Sequence, residues 1–377
     1  MFPSIEEFAL EPGLCYLNHA AVAPWPQRTV HAVERFAREN GTLGARRYPR
    51  WLQVEQTLRE QLRQLLNADS SDEIALLKNT SEALSVVAWG IDWQPGDQVV
   101  ITNREFPSNR IVWESLADLG VEVVEADIGQ GDQAEAAIVN CLGPRTRLVS
   151  VSSVQYSTGL ALDLAAIGAA CRLHNALFCI DAIQSIGVAP FDVQACQADF
   201  VMADGHKWML GPEGLALFYC RRKRLPTLTL RQFGWHMVEA MGEYDRRDWQ
   251  AADSARRFEC GSPNMLGIHA LQASVDLLLE TGLADVYEFV SRKVSYLIDN
   301  LIDGNAIILS ETTPGRRAGI VTFERPGIDS RCLHQYLQDN GVICALRGGG
   351  IRFSPHFYTP ETALERALTL AFDFKQG

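Results

Sequence analysis

Seven apolar runs of strand length punctuate residues 74–219, and stretches of helical period fill the gaps between them. The runs are Ile74–Leu77, Gln98–Thr102, Val121–Glu125, Arg147–Ser152, Leu177–Asp181, Phe200–Ala203 and Leu215–Tyr219. Apolar runs of this length that alternate with amphipathic helical stretches describe strands of a sheet covered on both faces. Helices between such strands predict an α/β fold with a mainly parallel sheet flanked by helices. Trp51–Leu66 carries Leu58, Leu62, Leu65 and Leu66 on one stripe, Ser81–Trp89 is entered through Thr80, and Asp163–His174 turns Leu164, Ile167, Ala170 and Cys171 inward. Gly96-Asp97 and Gly143-Pro144 mark turns before strands.

Beyond about Arg256 the texture changes. Long helical stretches (Leu266–Glu280, Ala284–Asn300) precede short strands around Ile307–Leu309 and Gly319–Phe323 and a helix from Ser330 to about Asn340. This pattern predicts a large domain over 16–258 and a small α+β domain over 259–377, with residues 1–15 packed on the latter. A chain of 377 residues is long enough for both.

The formal net charge of −12 argues against nucleic acid or an anionic membrane as partner, since both would repel it. Nine cysteines, odd in number, scattered and without a C-x-x-C, form neither a disulfide framework nor a metal ribbon. No metal site is expected, and reduced thiols point to the cytoplasm. Met1–Leu10 has neither a basic start nor a long apolar run, and no stretch reaches membrane-spanning length.

The chemistry gathers at strand ends. Leu177–Asp181 is an apolar strand that closes on a carboxylate, and Gln184 and Ser185 follow it. In parallel sheets, ligands lie beyond the carboxyl ends of the strands. Taken alone, such an aspartate serves equally as a helix cap. Gly205-His206-Lys207-Trp208 follows the run Phe200–Ala203, and Gly211-Pro212-Glu213-Gly214 leads into the next strand. A lysine framed in this way is held and desolvated, which lowers its pKa and makes it a nucleophile toward an aldehyde.

The stretches Asp181–Gly187 (DAIQSIG) and Ala198–Gly214 (ADFVMADGHKWMLGPEG) resemble the class V aminotransferases, with likeness running from Tyr16 to Tyr358. That family has the pyridoxal 5′-phosphate (PLP) transferase fold type I and includes cysteine desulfurases, selenocysteine lyases, cystine C–S lyases, kynureninase and isopenicillin epimerase. The resemblance implies PLP as cofactor, carried by Lys207 as a Schiff base. It gives Asp181 the protonated ring nitrogen, Gln184 the ring hydroxyl, and His206 the phosphate or the ring. Asn79-Thr80-Ser81-Glu82 resembles the phosphate turn, with Thr80 and Ser81 as hydroxyl donors at a helix start; read locally, it is a plain helix cap. In Arg104–Asn109, Phe106 stands where a ring stacks on the pyridine, and a core role suits it nearly as well. Gln155 or Tyr156 occupies the place of a contact to the ring hydroxyl. Phe258–Asn264 (FECGSPN) resembles a turn whose hydroxyl, here Ser262, reaches the phosphate of a neighbouring subunit. A homodimer with a shared active site would follow. Arg46, Arg47 and Tyr48 form a basic patch that a partner subunit would contribute.

Two departures stand out. Desulfurases carry serine at position 204; this chain has Asp204, which would repel a phosphate and is expected to point away. Desulfurases that form a protein persulfide have a cysteine on a mobile loop before the substrate arginine, whereas here Arg347 runs directly into three glycines. Gly350–Tyr358 resembles the segment whose arginine, here Arg352, grips the substrate α-carboxylate; Arg347 and His19 are further substrate candidates, His19 with a structural role equally open. Cys344, in the strand-like run Val342–Leu346, is the nearest thiol. The resemblance therefore implies a small amino acid as substrate and C–S (or C–Se) cleavage of a cysteine- or cystine-like molecule without a protein persulfide. The alternatives are an aminotransferase or epimerase of the same fold and, remotely, a non-catalytic interaction protein.

Overall fold

A computed structural model of the chain describes residues 7–129 and 133–375. A short strand β1 (Cys15–Tyr16) precedes helices α1 (Gln27–Leu43) and α2 (Tyr48–Leu66). α2 starts at Tyr48 rather than Trp51, with a proline in its first turn, and stops at Asn67, whose left-handed φ of 51° asparagine tolerates. It buries the leucine stripe read from the sequence. α1 was not expected; Thr29 and Ala32 are its buried residues, and its Phe36 packs against Trp51.

The large sheet then follows: β2 (Ile74–Leu77), α3 (Thr80–Gly90), β3 (Gln98–Thr102), α4 (Ser108–Glu114), β4 (Glu122–Ala126), α5 (Ala134–Asn140), β5 (Thr146–Ser152), α6 (Leu164–Leu173), β6 (Leu177–Asp181), β7 (Phe200–Asp204) and β8 (Ala216–Cys220). Its seven strands stand in the order β2-β8-β7-β6-β5-β3-β4. From β4 to β7 all neighbours are parallel, and β8 is antiparallel to both β2 and β7. Each expected strand is present, with ends moved by no more than one residue. The parallel run brings the carboxyl ends of β3, β5, β6 and β7 to one rim. There Asp181 lies opposite Ser152 on one side and Met202 on the other.

The rest of the chain contains α7 (Met265–Thr281), α8 (Leu283–Asp303), β9 (Ile307–Ile308), β10 (Val321–Glu324), α9 (Ser330–Asp339), β11 (Val342–Ile343), β12 (Ala345–Arg347), β13 (Gly350–Phe353) and α10 (Glu361–Asp373). An antiparallel sheet in the order β12-β13-β10-β9 carries Arg347 and Arg352. α7 packs against α1 and α2. β1 pairs in parallel with β11, Asn18 bridges to Ser354, and Phe8 stacks on Tyr358 with ring centres 3.4 Å apart. The N-terminal segment from Phe8 to Asn18 thus packs on residues of the C-terminal part of the chain. Residues 1–6, which fall in the expected 1–15 packing, lie outside the described residues.

A buried ion cluster ties α2 to the turn before Ser262. Arg59 donates to both Glu259 oxygens (2.6 and 2.7 Å), to Glu55 (2.5 Å) and to the Ile74 carbonyl (2.8 Å). The Leu76 amide adds a bond to Glu259 (2.8 Å). His236 stands 3.6 Å from the same carboxylate. With Arg59 neutralising these acids, the cluster reads as a structural ion pair.

Candidate active site

At the rim of the large sheet opens a cleft of about 310 Å³, bordered by Asp181, Lys207, Phe106, Thr80, Arg352 and Ala20 among others. This is at the lower end of the volumes that small-molecule sites occupy. A larger open groove of about 750 Å³ alongside it shares Arg347 but holds none of the acid–base groups described below.

The loop after β7 brings Lys207 into this cleft at 9% exposure. Burial, more than any charge, pulls its amine down to about 8, with Asp181 opposing the shift and Arg352 adding to it. An amine that sheds its proton near pH 8, instead of in the ordinary lysine range, is a competent nucleophile and base there. Its Nζ lies 5.6 Å from the centre of the Phe106 ring. Phe106 is 40% exposed, its ring edge-on to Tyr156 at 5.2 Å, so an aromatic surface faces the cleft.

Asp181, at 2% exposure, is the other pole. Desolvation raises its carboxyl to about 6, against a hydrogen bond from the Ile183 amide (3.1 Å) and the pull of Lys207. Gln184 is held from both ends: its amide donates to the Ala20 carbonyl (3.1 Å) and its oxygen accepts from the Trp208 indole (2.7 Å). Gly187 makes that approach possible. Its φ is +101°, and a Cβ there would lie 2.3 Å from the Trp208 carbonyl oxygen.

The N-terminus of α3 forms one wall. Asn79, not Thr80 or Ser81, caps it by accepting from the Glu82 amide (2.9 Å), while Glu82 accepts from the Lys78 amide (2.6 Å). The caps are thus supplied by neighbours, and Thr80 and Ser81 border the cleft. Thr80 Oγ accepts from the Asp204 amide (3.1 Å) and Ser81 donates to Ser108 (2.8 Å). A helix start that borders a cleft suits an anion.

β13 carries Arg352 to the opposite side. The side chain is 2% exposed, one nitrogen donates to the Tyr156 carbonyl (2.8 Å), and among the described residues Nε has no partner. Burial and the nearby Arg347 lower its pKa to about 10, which leaves it charged at neutral pH. A buried guanidinium without a carboxylate is incomplete, and a substrate carboxylate would complete it. Arg347 borders the cleft from the surface. Arg352→Lys is expected to raise KM for an amino acid about tenfold or more with kcat changed far less, since lysine cannot make the two-pronged contact. Steady-state kinetics checks this, and an unchanged KM would remove Arg352 from substrate binding.

Several expectations need correction. His19 does not line the cleft. It is fully buried, its nitrogens bond the Ser354 carbonyl (2.8 Å) and Tyr358 hydroxyl (2.6 Å), and burial lowers its pKa to about 4, so it is a neutral structural residue. Asp204 does not turn away; it borders the cleft beside Thr80. Of Gln155 and Tyr156, only Tyr156 borders the cleft, while Gln155 is fully buried toward Thr102 and Glu105. Ser262, whose expected contact is with a neighbouring subunit, is exposed and lies outside this chain's own cleft. Cys344 is 2% exposed and its thiol is pushed up to about 12, unfit for nucleophilic attack. Among the described residues no cysteine borders the cleft.

Sequence reasoning missed Glu105. This buried carboxylate accepts from Thr102 (2.7 Å), Asn109 (2.9 Å) and the Ser152 amide (3.0 Å) and hydroxyl (2.5 Å), and its charge contributes to raising the Asp181 pKa. It stood beside Phe106 in the sequence, but nothing local showed that it turns inward.

The fold and this constellation define a class: the chain belongs to the aminotransferase class-V family, which it matches over residues 15–359. Among curated relatives, a probable cysteine desulfurase of Methanothermobacter thermautotrophicus is 31% identical, the match covering 93% of this chain and 92% of that protein. A cysteine desulfurase of Klebsiella pneumoniae is 29% identical, with 92% and 86% covered. Among solved structures, the cystine C–S lyase C-DES in complex with its product cysteine persulfide superposes with a TM-score of 0.89 at 25% identity, over 97% of this chain and 99% of that one.

Proposed function

We propose that this chain is a PLP-dependent enzyme that cleaves the C–S (or C–Se) bond of a cysteine- or cystine-like amino acid, working as a cytoplasmic homodimer. One observation carries the reading: a desolvated lysine, a buried aspartate and an unpaired buried arginine meet in a single cleft with an exposed aromatic face. These groups fit the cofactor. Asp181 would hold its ring nitrogen, Lys207 its aldehyde, Thr80 and Ser81 its phosphate, Phe106 its ring face and Gln184 its hydroxyl. When bound, PLP supplies an electron sink for a bond broken at the substrate α-carbon.

The chain's own groups do the rest. Arg352 orients the substrate carboxylate. The Lys207 amine takes the proton from the substrate α-carbon and, as the acid so formed, delivers it to the departing sulfur. Asp181, an anion at working pH, keeps a proton on its ring partner. Among the described residues no thiol lies beside the cleft, which supports sulfur leaving with the small product rather than on the protein, the outcome seen in the C-DES complex.

The dimer is supported by exposed aromatics at Phe233 (62%), Tyr244 (77%) and Trp249 (53%), and by Ser262, which lies outside its own cleft. Arg46 and Arg47, exposed between α1 and α2, are in place to join such an interface. Nine unpaired cysteines support a reducing compartment. Among the described residues no helix is long and apolar enough to cross a membrane.

The test is to add cysteine, cystine and alanine to the PLP-loaded protein and measure sulfide, persulfide and keto acid. Sulfur release from cysteine or cystine is the expected result. Amino exchange with a keto acid, or epimerisation, without sulfur release would replace this reading.

A further inference from the structure

We infer that Asp204 is a positioning residue that holds His206 as a cation against the cofactor phosphate. The inference rests on PLP being the cofactor. Asp204 closes β7 and its residue is 7% exposed, yet it borders the cleft beside the start of α3, its amide fastened to Thr80 Oγ at 3.1 Å. An ionised carboxylate has no proton to donate and would repel a phosphate held by the same helix start. Something must stand between them.

The basic group in contact with Asp204 is His206, with Nδ1 3.1 Å from Oδ1. The pair is out of line for a hydrogen bond, and both atoms are buried with no partner among the described residues. The main chain around them is fixed: the Gly205 amide donates to the Leu215 carbonyl (2.9 Å) and the His206 carbonyl accepts from the Ala23 amide (2.8 Å). Turning the imidazole is therefore the motion that completes the pair. A carboxylate on one imidazole nitrogen fixes the tautomer, favours the imidazolium and leaves the other N–H to donate. The remaining charges on the cleft are Asp181 and Glu213, negative, and Lys207, Arg347 and Arg352, positive. Where desulfurases place a serine hydroxyl, this chain uses a carboxylate acting through its neighbour.

The experiment titrates apoprotein with PLP and with pyridoxal, which lacks the phosphate, and follows the visible band. Asp204→Asn should weaken PLP on the order of tenfold, the size of a lost charge-assisted contact, and leave pyridoxal unchanged. His206→Gln should do the same, and the double variant should be no worse than either single. Asp204→Asn binding PLP as tightly or more tightly, equal losses for both aldehydes, or additive losses would each overturn the inference. Should Asp204→Asn fail to fold, Asp204→Ser serves: with a hydroxyl restored, His206→Gln should weaken PLP less than in the unmodified protein, and an undiminished loss would overturn it. Unmodified protein that binds no PLP would instead sink the cofactor reading.

Discussion

Lys207→Ala is expected to abolish the yellow band of lysine-bound cofactor and to reduce turnover by at least about 10³-fold, since it removes both the covalent anchor and the acid–base group. The structure gives the reason for so large an effect. Among the described residues Lys207 is the one amine bordering the cleft, and burial has lowered it to about 8. Below that pH the apoprotein amine is protonated and cannot attack an aldehyde; above it, it can. The rate at which unmodified apoprotein captures PLP should therefore climb as pH passes through about 8 and then level. Stopped-flow absorbance across pH 6.5–9.5 (about the range that brackets this value) measures it. A variant that keeps the band and the activity would show that another group does this work.

Asp181→Asn should lower turnover by about 10²–10³-fold, because a neutral amide no longer enforces a proton on the ring nitrogen. It should also stabilise the apoprotein. The folded pKa of Asp181 is raised from 3.8 to about 6, so the fold favours the neutral carboxyl. That contribution is complete below the unfolded pKa and is lost as pH rises through the folded one. Above about 6 the apoprotein carries a desolvated carboxylate, and the asparagine variant does not. Melting at pH 8 should show the variant more stable by about 1–3 kcal/mol, with the gap closing toward pH 3.5. A variant less stable at pH 8 would show that Asp181 is fully compensated by Lys207 even without cofactor. Stability withheld at the group the reaction needs is a common feature of active sites.

Much of this site was legible because its signals are local. Asp181 ends an apolar strand and Lys207 sits between a strand and a glycine-rich turn, and both features survive in any fold that pairs those strands. His19 shows where locality ends. Its neighbours Ala20 and Ala21 border the cleft, but the chain turns there and the imidazole packs into Ser354 and Tyr358 instead. Glu105 and Phe106 divide in the same manner: adjacent residues, one turned into a buried network and one left facing the cleft. Which of two neighbours turns inward is decided by what covers them.

By itself, the sequence determined the strands of the large sheet and the residue types at their ends, because apolar period and turn chemistry are written within a few residues. Only the tertiary structure decided that Arg352, on a different sheet, meets Lys207 and Asp181 in one cleft, that Asp204 faces inward beside His206, and that Cys344 is sealed away. The physical reason is desolvation. A side chain's charge and reactivity depend on how much water the rest of the chain removes from it, and that follows from contacts between residues far apart in sequence.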